Sequence, residues 1–244
     1  FLEFPEIRDR LIMLDGASKT YAMTGWRLGW AVWPGELAEL ATRMAINIHS
    51  CVNAATQFAG IAALQKSGQW ELAGEQLAEA SRGLERAGAG AILLATNTMH
   101  KVATAIEGAV DIPLLHIGDA VGQALQGKNV TCAALLGTRF TMQEDFYKRR
   151  LSERFGIEVV LPDPDAMAEV DRIIFAELCL GQFHPPARAF YLGVLEQLRE
   201  QGAQAAILGC TEIGLLLDGV QSPLPLVDST EEHVAMGLTW LLKG

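Results

Sequence analysis

The chain has 244 residues, of which half are hydrophobic and a fifth are charged. This length is sufficient for one large or two small domains with hydrophobic cores, and the composition is typical of a soluble α/β protein rather than of a disordered or fibrous one. The formal net charge of −10 argues against a nucleic acid or an anionic membrane as a partner, because both require a basic surface. A small anionic substrate is not excluded.

The termini and cysteines predict a cytoplasmic protein. The cysteines stand at positions 51, 132, 179 and 210 without a C-x-x-C pair, which favours reduced thiols over disulfides. No apolar run of about 18 residues predicts a membrane-spanning helix, and the N-terminal residues do not have the pattern of a signal peptide. The first residue is Phe1 rather than Met, so we expect the chain to begin inside a longer gene.

Hydrophobic periodicity predicts alternating helices and strands. The first two helices are predicted over 34–48 and 54–66, and an amphipathic helix then ends at Gly88. The predicted strands that follow are 91–95, 113–117, 130–137, 157–162, 205–209 and 223–228, and the predicted helices are 99–110, 118–126, 142–155, 164–180, 186–201 and 229–242. This alternation indicates an α/β fold with right-handed βαβ units and a parallel sheet.

Polar residues follow three of the predicted strands. They are Thr96-Asn97-Thr98, Gly137-Thr138, and Gly209-Cys210-Thr211-Glu212. In parallel sheets, ligands bind beyond the carboxyl ends of the strands. We therefore expect these three loops to converge on one cleft.

Cys210 is the strongest chemical candidate in these loops. A thiol at a strand-to-helix junction lies near backbone N–H groups, which favour the thiolate, a competent base or nucleophile. A buried, inert cysteine is an equally open interpretation. For Thr96, Asn97 and Thr98, capping of the helix that begins near Met99 is favoured over a catalytic role, although the two roles are compatible. His100 adjoins this loop, but no metal-ligand spacing, P-loop, G-x-S-x-G or G-x-G-x-x-G motif occurs.

Four segments resemble the aspartate/glutamate racemase family, and in particular its broad-specificity amino-acid racemases. They are ATNTMHKVA (95–103), LLGTRFTMQEDFYKRRL (135–151), ELCLGQF (177–183) and ILGCTEIGLLL (207–217). The resemblance implies two similar α/β halves with the active site between them, no cofactor, an acidic amino acid as the substrate, and a homodimer as a reasonable assembly. One acid/base residue on each face of the substrate would remove and return the α-proton.

The resemblance assigns roles to six residues. Cys210 matches the cysteine of the second half, and Thr96 stands where the first half has its cysteine. Asn97, Thr98, Thr138 and Thr211 match substrate-contacting or loop-shaping positions. Because a threonine hydroxyl is a far weaker acid than a thiol, we expect solvent isotope to enter the α-carbon much faster in one direction of conversion than in the other.

Residues 1–65 resemble a different family, the class I pyridoxal-phosphate aminotransferases. The matching segments are GASKTYAMTGWRLGW (16–30) and NIHSCVNAATQFAGIAAL (47–64). Lys19 would be the Schiff-base lysine and Arg27 a phosphate ligand, but the family's other cofactor-binding groups have no counterpart. The predicted domains are therefore an aminotransferase-like fragment at 1–65 and a racemase-like domain at 66–244.

Proteins of the racemase family that this domain resembles begin with a strand, a glycine-rich loop, a helix and a second strand, and we expect the domain to lack these elements. Its first half would span about 66–122 together with the C-terminal helix, and its second half about 123–228. The junction near 63–69 indicates a fusion, a rearranged gene or an assembly artefact. A pyridoxal-phosphate aminotransferase built on Lys19 and a non-catalytic fusion remnant are the alternatives to a racemase.

Overall fold

A computed structural model describes residues 13–16, 29–32 and 70–243 of the chain. The helices predicted over 34–48 and 54–66, together with Lys19 and Arg27, lie outside the described residues. Of the residues before position 70, those that are described form two short strands, β1 (Met13–Gly16) and β2 (Gly29–Val32). They pair antiparallel, with Met13 opposite Val32 and Gly16 opposite Gly29.

The main sheet has four parallel strands in the order β6-β5-β7-β8. Its strands are β5 (Cys132–Leu136), β6 (Glu158–Val160), β7 (Ala205–Leu208) and β8 (Leu226–Asp228). Two further strands, β3 (Ile92–Leu93) and β4 (Leu114–Leu115), form a separate two-stranded sheet. The predicted α/β class and parallel sheet are confirmed.

Helices connect and follow these strands. They are α1 (Trp70–Arg86), α2 (Ala103–Glu107), α3 (Ile117–Gly127), α4 (Arg139–Gln143), α5 (Asp145–Phe155), α6 (Pro164–Ala176), α7 (Pro185–Glu200), α8 (Thr211–Leu217) and α9 (Ser229–Lys243). Two 3-10 turns, Thr98–Val102 and Leu178–Leu180, complete the described elements.

Three predicted helices differ from the structure. The helix predicted over 142–155 is two helices, α4 and α5, because Glu144 adopts an extended backbone between them. The helix predicted over 164–180 ends at Ala176, and the 3-10 turn that follows it is terminated by Gly181 as its C-cap, whose φ of 73° favours glycine. The helix predicted over 99–110 is a 3-10 turn followed by the short α2.

The described part of the chain divides into two units. One contains the residues before Leu93, Thr104–Pro113 and the residues from Leu238 on, and the other contains Leu93–Ala103 and Leu114–Gly237. The second of these, here called the larger unit, holds the four-stranded sheet. The halves expected at 66–122 and 123–228 stay a prediction.

The core of the larger unit forms around β5 and β7. Every residue of β7 and all of β5 except Cys132 are buried, as expected for parallel strands covered on both faces. Val121 and Leu125 of α3, Leu151 of α5 and Ile173 of α6 belong to the same hydrophobic cluster. Among the described residues, no helix has the length and apolar character needed to cross a membrane.

Candidate active site

The carboxyl ends of β5 and β7 lie side by side at the centre of the main sheet. β6 pairs with the other edge of β5 and β8 with the other edge of β7, so the strand order reverses between the two central strands. A crevice at such a reversal is the usual ligand site of an open α/β sheet. Two of the predicted polar loops, which begin at Gly137 and Gly209, start here.

Close approach of these two strand ends requires glycine. The Gly209 N–H donates to the Leu136 carbonyl at 2.7 Å. A Cβ placed on Gly137 would lie 3.2 Å from the Gly209 oxygen, and one on Gly209 would lie 3.1 Å from the Leu136 oxygen. Both contacts are tighter than side-chain carbons normally make, so the two glycines allow the loops to begin next to each other.

Three threonines connect the second polar loop to the first. Thr138 caps α4, because its hydroxyl accepts from the Thr141 N–H at 3.3 Å. The Thr141 hydroxyl lies 3.1 Å from that of Thr138 and 3.4 Å from that of Thr98. Thr141 is fully buried and was not identified from the sequence, since its position one turn into a helix carries no distinctive motif.

Cys210 follows β7 directly and stands at the N-cap position of α8. Its sulfur donates to Glu212 Oε2 at 2.9 Å, and the Thr211 hydroxyl donates to the same oxygen at 2.6 Å. Cys210 is 8% exposed and Glu212 5% exposed, so a carboxyl group and a thiol meet in a largely buried setting. The sequence motif contained Glu212, but sequence reasoning gave it no role in the site.

Asn97 is held by Ser229, the first residue of α9. The Ser229 hydroxyl donates to the Leu208 carbonyl at 2.7 Å and accepts from Asn97 Nδ2 at 3.0 Å. Since the hydroxyl has one proton, this arrangement determines which side of the amide faces Ser229. Asn97 Oδ1 is consequently a buried acceptor, and it has no partner among the described residues.

The predicted helix-capping role of the first loop is wrong. Asn97 stands at the N-cap position of the 3-10 turn Thr98–Val102, but its side chain makes no capping hydrogen bond there. The half-buried Thr96 is fixed through its backbone instead: its N–H donates to the Leu94 carbonyl at 2.8 Å, and its carbonyl accepts from His100 Nδ1 at 2.6 Å. The side chains of Asn97 and Thr98 instead contact the hydroxyl groups of Ser229 and Thr141.

These bonds bring most of the sequence candidates to one region of the larger unit. Asn97, Thr98 and Thr138 are linked to the carboxyl ends of β5 and β7, and Cys210 and Thr211 follow β7 directly. Within the part of the chain that is described, no group of three histidine, cysteine or acidic side chains is arranged to hold a metal ion.

Solved structures share this fold. A candidate Asp/Glu racemase from Yersinia pestis is 38% identical, with a TM-score of 0.72, and the match covers 85% of this chain and 94% of that one. An aspartate racemase homologue from Pyrococcus horikoshii OT3 is 33% identical, with a TM-score of 0.67, and the match covers 73% of this chain and 78% of that one.

Curated relatives match shorter parts of the chain. The broad-specificity amino-acid racemase RacX of Bacillus subtilis is 30% identical over 147 residues, which are 60% of this chain and 63% of RacX. The LL-diaminopimelate aminotransferase of Moorella thermoacetica is 45% identical over 64 residues, which are 26% of this chain and 16% of that enzyme. The chain thus spans less than two thirds of RacX and about a sixth of the aminotransferase.

The family comparison covers most of the chain. The model of the family described as Asp/Glu/Hydantoin racemase matches residues 36–237. This match begins at residue 36 rather than at the boundary near residue 66 expected from the sequence, and it includes every loop of the candidate site. The resemblance identified from the four sequence segments is confirmed: the chain belongs to the Asp/Glu/Hydantoin racemase family.

Proposed function

We propose that this chain is an amino-acid racemase of the aspartate/glutamate type that works without a cofactor, with Cys210 and Thr96 as its acid/base residues. Family membership supports the reaction class. The observation that carries the proposal is the 2.9 Å contact between the Cys210 sulfur and the buried Glu212 carboxyl group at the carboxyl end of β7. This contact provides an acceptor for the thiol proton, which must leave before the sulfur can act as a base.

Stereoinversion then requires two proton transfers. The Cys210 thiolate takes the α-hydrogen of the amino acid as a proton, and the electron pair of the broken C–H bond remains on the α-carbon and its carboxylate. The Thr96 hydroxyl gives a proton to the opposite face of that carbon. Exchange with water restores the proton of Thr96 and removes that of Cys210. The reverse direction uses the same groups in the opposite roles.

Asn97 Oδ1 is proposed to bind the α-ammonium group of the substrate. A buried acceptor without a donor costs about 1–3 kcal/mol, so a ligand that supplies the donor is favoured. The bond from Asn97 Nδ2 to Ser229 keeps the oxygen in this position. An ammonium group has only N–H donors, whereas a carboxylate would repel the oxygen. Thr98, Thr138 and Thr211 supply further hydroxyl groups for the carboxylates of an acidic amino acid.

Deuterium exchange in heavy water tests this proposal. We expect the wild-type chain to exchange and invert the α-hydrogen of aspartate or glutamate, and Cys210→Ala to lower both rates by about 100- to 10,000-fold, the usual contribution of a positioned acid/base group. Cys132→Ala is the matched control, because Cys132 is a half-buried cysteine of β5 whose thiol pKa is raised by burial and then by Glu158. It should retain the wild-type rates.

Unequal deuterium incorporation from the two enantiomers would support the Thr96–Cys210 pairing. Equal incorporation would contradict it. A wild-type chain that exchanges no α-proton of any amino acid would show a non-catalytic fusion remnant, and a Cys210→Ala variant with wild-type rates would remove Cys210 from the mechanism.

A pyridoxal-phosphate aminotransferase built on Lys19 and Arg27 is the second candidate, since short segments match aminotransferases. Its test is separate from the exchange assay. Incubation with pyridoxal phosphate followed by borohydride reduction should label Lys19 if this function is present. An unlabelled Lys19 would exclude it.

A further inference from the structure

The buried His100 joins two segments of the larger unit through both of its ring nitrogens. Nδ1 lies 2.6 Å from the Thr96 carbonyl oxygen, and Nε2 lies 3.1 Å from the Ile117 backbone nitrogen. Ile117 is the first residue of α3, where backbone N–H groups lack partners within the helix. One side chain, 2% exposed, therefore connects the loop that carries Thr96 to the start of a helix.

These two partners determine the tautomer of the ring. The Ile117 N–H can only donate, so Nε2 must be the unprotonated nitrogen that accepts. The single proton of the neutral ring is then on Nδ1 and is donated to the Thr96 carbonyl. In a protonated, cationic ring, Nε2–H would face the Ile117 N–H, and two donors without an acceptor between them repel each other.

The surroundings keep this ring neutral. Burial lowers the pKa of His100 to about 3 and outweighs the hydrogen bond to Thr96, which raises it; His233 and Arg150 lower the pKa further, and Asp119 has a smaller raising effect. The rings of His116 and His233 lie with centroids 4.2 Å and 5.8 Å from that of His100. His116 Nδ1 accepts from the Gly118 N–H and His233 Nε2 contacts the Leu115 carbonyl, so both rings are themselves held by backbone groups.

The bond to His100 completes the fixation of the Thr96 backbone. The Thr96 N–H is already bonded to Leu94, and its two successors are bonded through their side chains, Asn97 to Ser229 and Thr98 to Thr141. Without His100, the Thr96 carbonyl would lose its partner while its neighbours stayed attached. The Thr96 backbone would then be anchored only through its N–H, and we expect its Cα, and with it the hydroxyl group, to shift.

We infer that His100 is a positioning residue that keeps the Thr96 hydroxyl within reach of the substrate's α-carbon through the Nδ1–H bond to the Thr96 carbonyl. This inference rests on the proposed racemase function of Thr96 and Cys210. Both ring nitrogens of His100 are occupied by backbone groups, so in this role the ring acts through Thr96 and does not itself transfer the proton. Its loss should therefore impair the Thr96 face of the reaction selectively, whereas Cys210 should still remove a proton and return a deuteron to the same face.

Two amide substitutions separate the two bonds of His100. In His100→Asn the side-chain nitrogen can occupy the place of Nδ1 and donate to Thr96, but nothing reaches Ile117. In His100→Gln the longer side chain can place its oxygen near the position of Nε2 and accept from Ile117, but it does not bond Thr96. Both variants lose ring packing, so a purely structural role would affect them alike.

The measurement is the ratio of deuterium exchange to inversion for each enantiomer in heavy water. We expect His100→Gln to lower inversion by about 10- to 100-fold, the effect of an ångström-scale misplacement, while Cys210-dependent exchange changes by less than about threefold. His100→Asn should restore inversion to within about threefold of wild type. His233→Gln, which alters an equally buried histidine bonded to the Leu115 carbonyl, should leave the ratio unchanged.

Equal ratios in His100→Gln and wild type, or equal losses in both His100 variants, would overturn the inference while leaving the racemase proposal intact. A wild-type chain without exchange would overturn both. Nitrogen-15 NMR of the histidine rings gives an independent readout: we expect the His100 proton on Nδ1 at neutral pH. A proton on Nε2 would refute the bond to Thr96 regardless of activity.

Discussion

Two fully buried tyrosines differ in whether their hydroxyl group has a partner. The hydroxyl of Tyr191 in α7 donates to the Val170 carbonyl at 3.2 Å, whereas that of Tyr147 in α5 has no partner in the described part of the chain. Burial raises the pKa of both groups, so both hydroxyls are neutral near pH 7. Tyr147→Phe and Tyr191→Phe therefore remove the same atom from settings that differ mainly in hydrogen bonding.

The expected effects on the free energy of unfolding have opposite signs. Tyr147→Phe removes a hydroxyl that carries an uncompensated desolvation cost, so we expect a stabilisation of about 1 kcal/mol, the lower end of that cost. Tyr191→Phe removes a hydrogen bond with a net contribution of about 1 kcal/mol and should destabilise the protein by that amount. The small void left by the oxygen is common to both variants and cancels in the comparison, leaving a difference of about 2 kcal/mol.

Urea unfolding followed by circular dichroism measures this difference, and equal m-values for the variants would show that the same surface is exposed on unfolding. In thermal unfolding, the same difference corresponds to about 4–8 °C between the two variants for a domain of this size. If Tyr147→Phe is as destabilising as Tyr191→Phe, the Tyr147 hydroxyl has a partner and the argument from hydrogen bonding is refuted.

Two further predictions concern the buried polar groups of the larger unit. Ser229→Ala removes the acceptor that orients the Asn97 amide, so the KM for the amino acid should rise about tenfold with little change in kcat. This rise corresponds to the loss of about 1.4 kcal/mol of substrate binding. The control variant Ser222→Ala should leave the KM unchanged, and an unchanged KM in Ser229→Ala would remove Asn97 from the substrate site. Folding stability should fall on acidification, because the pKa of His100 is lowered from 6.5 to about 3 in the folded state. The unfolded chain therefore binds the proton at a higher pH than the folded protein does. Between pH 7 and pH 5 the resulting loss of stability from His100 is about 2 kcal/mol. His100→Asn should reduce this pH dependence by that amount in urea titrations, and an identical pH profile would show that the folded state already carries the proton.

The alternation of amphipathic helical segments with short apolar segments made the α/β fold predictable from residue 70 onward. Strands such as Ala205–Leu208 are buried on both faces, and such strands have a continuous apolar sequence whichever strand lies beside them. Boundaries were less predictable, because local backbone conformation decides them. Glu144 divides one amphipathic stretch into two helices without changing the periodicity of its apolar residues.

The sequence by itself determined that polar loops follow the strands and that Cys210 belongs to one of them, because residue order along the chain is enough to place a side chain after a strand. Only the tertiary structure decided the partners. The contacts of Asn97 with Ser229 and of Thr98 with Thr141 join residues 132 and 43 positions apart. The capping role expected for the first loop failed because Asn97 has a helical rather than an extended backbone and its side chain makes no capping bond, while its Nδ2 is held by the distant Ser229. Strand order and long-range packing bring such groups together, and neither leaves a trace in local spacing.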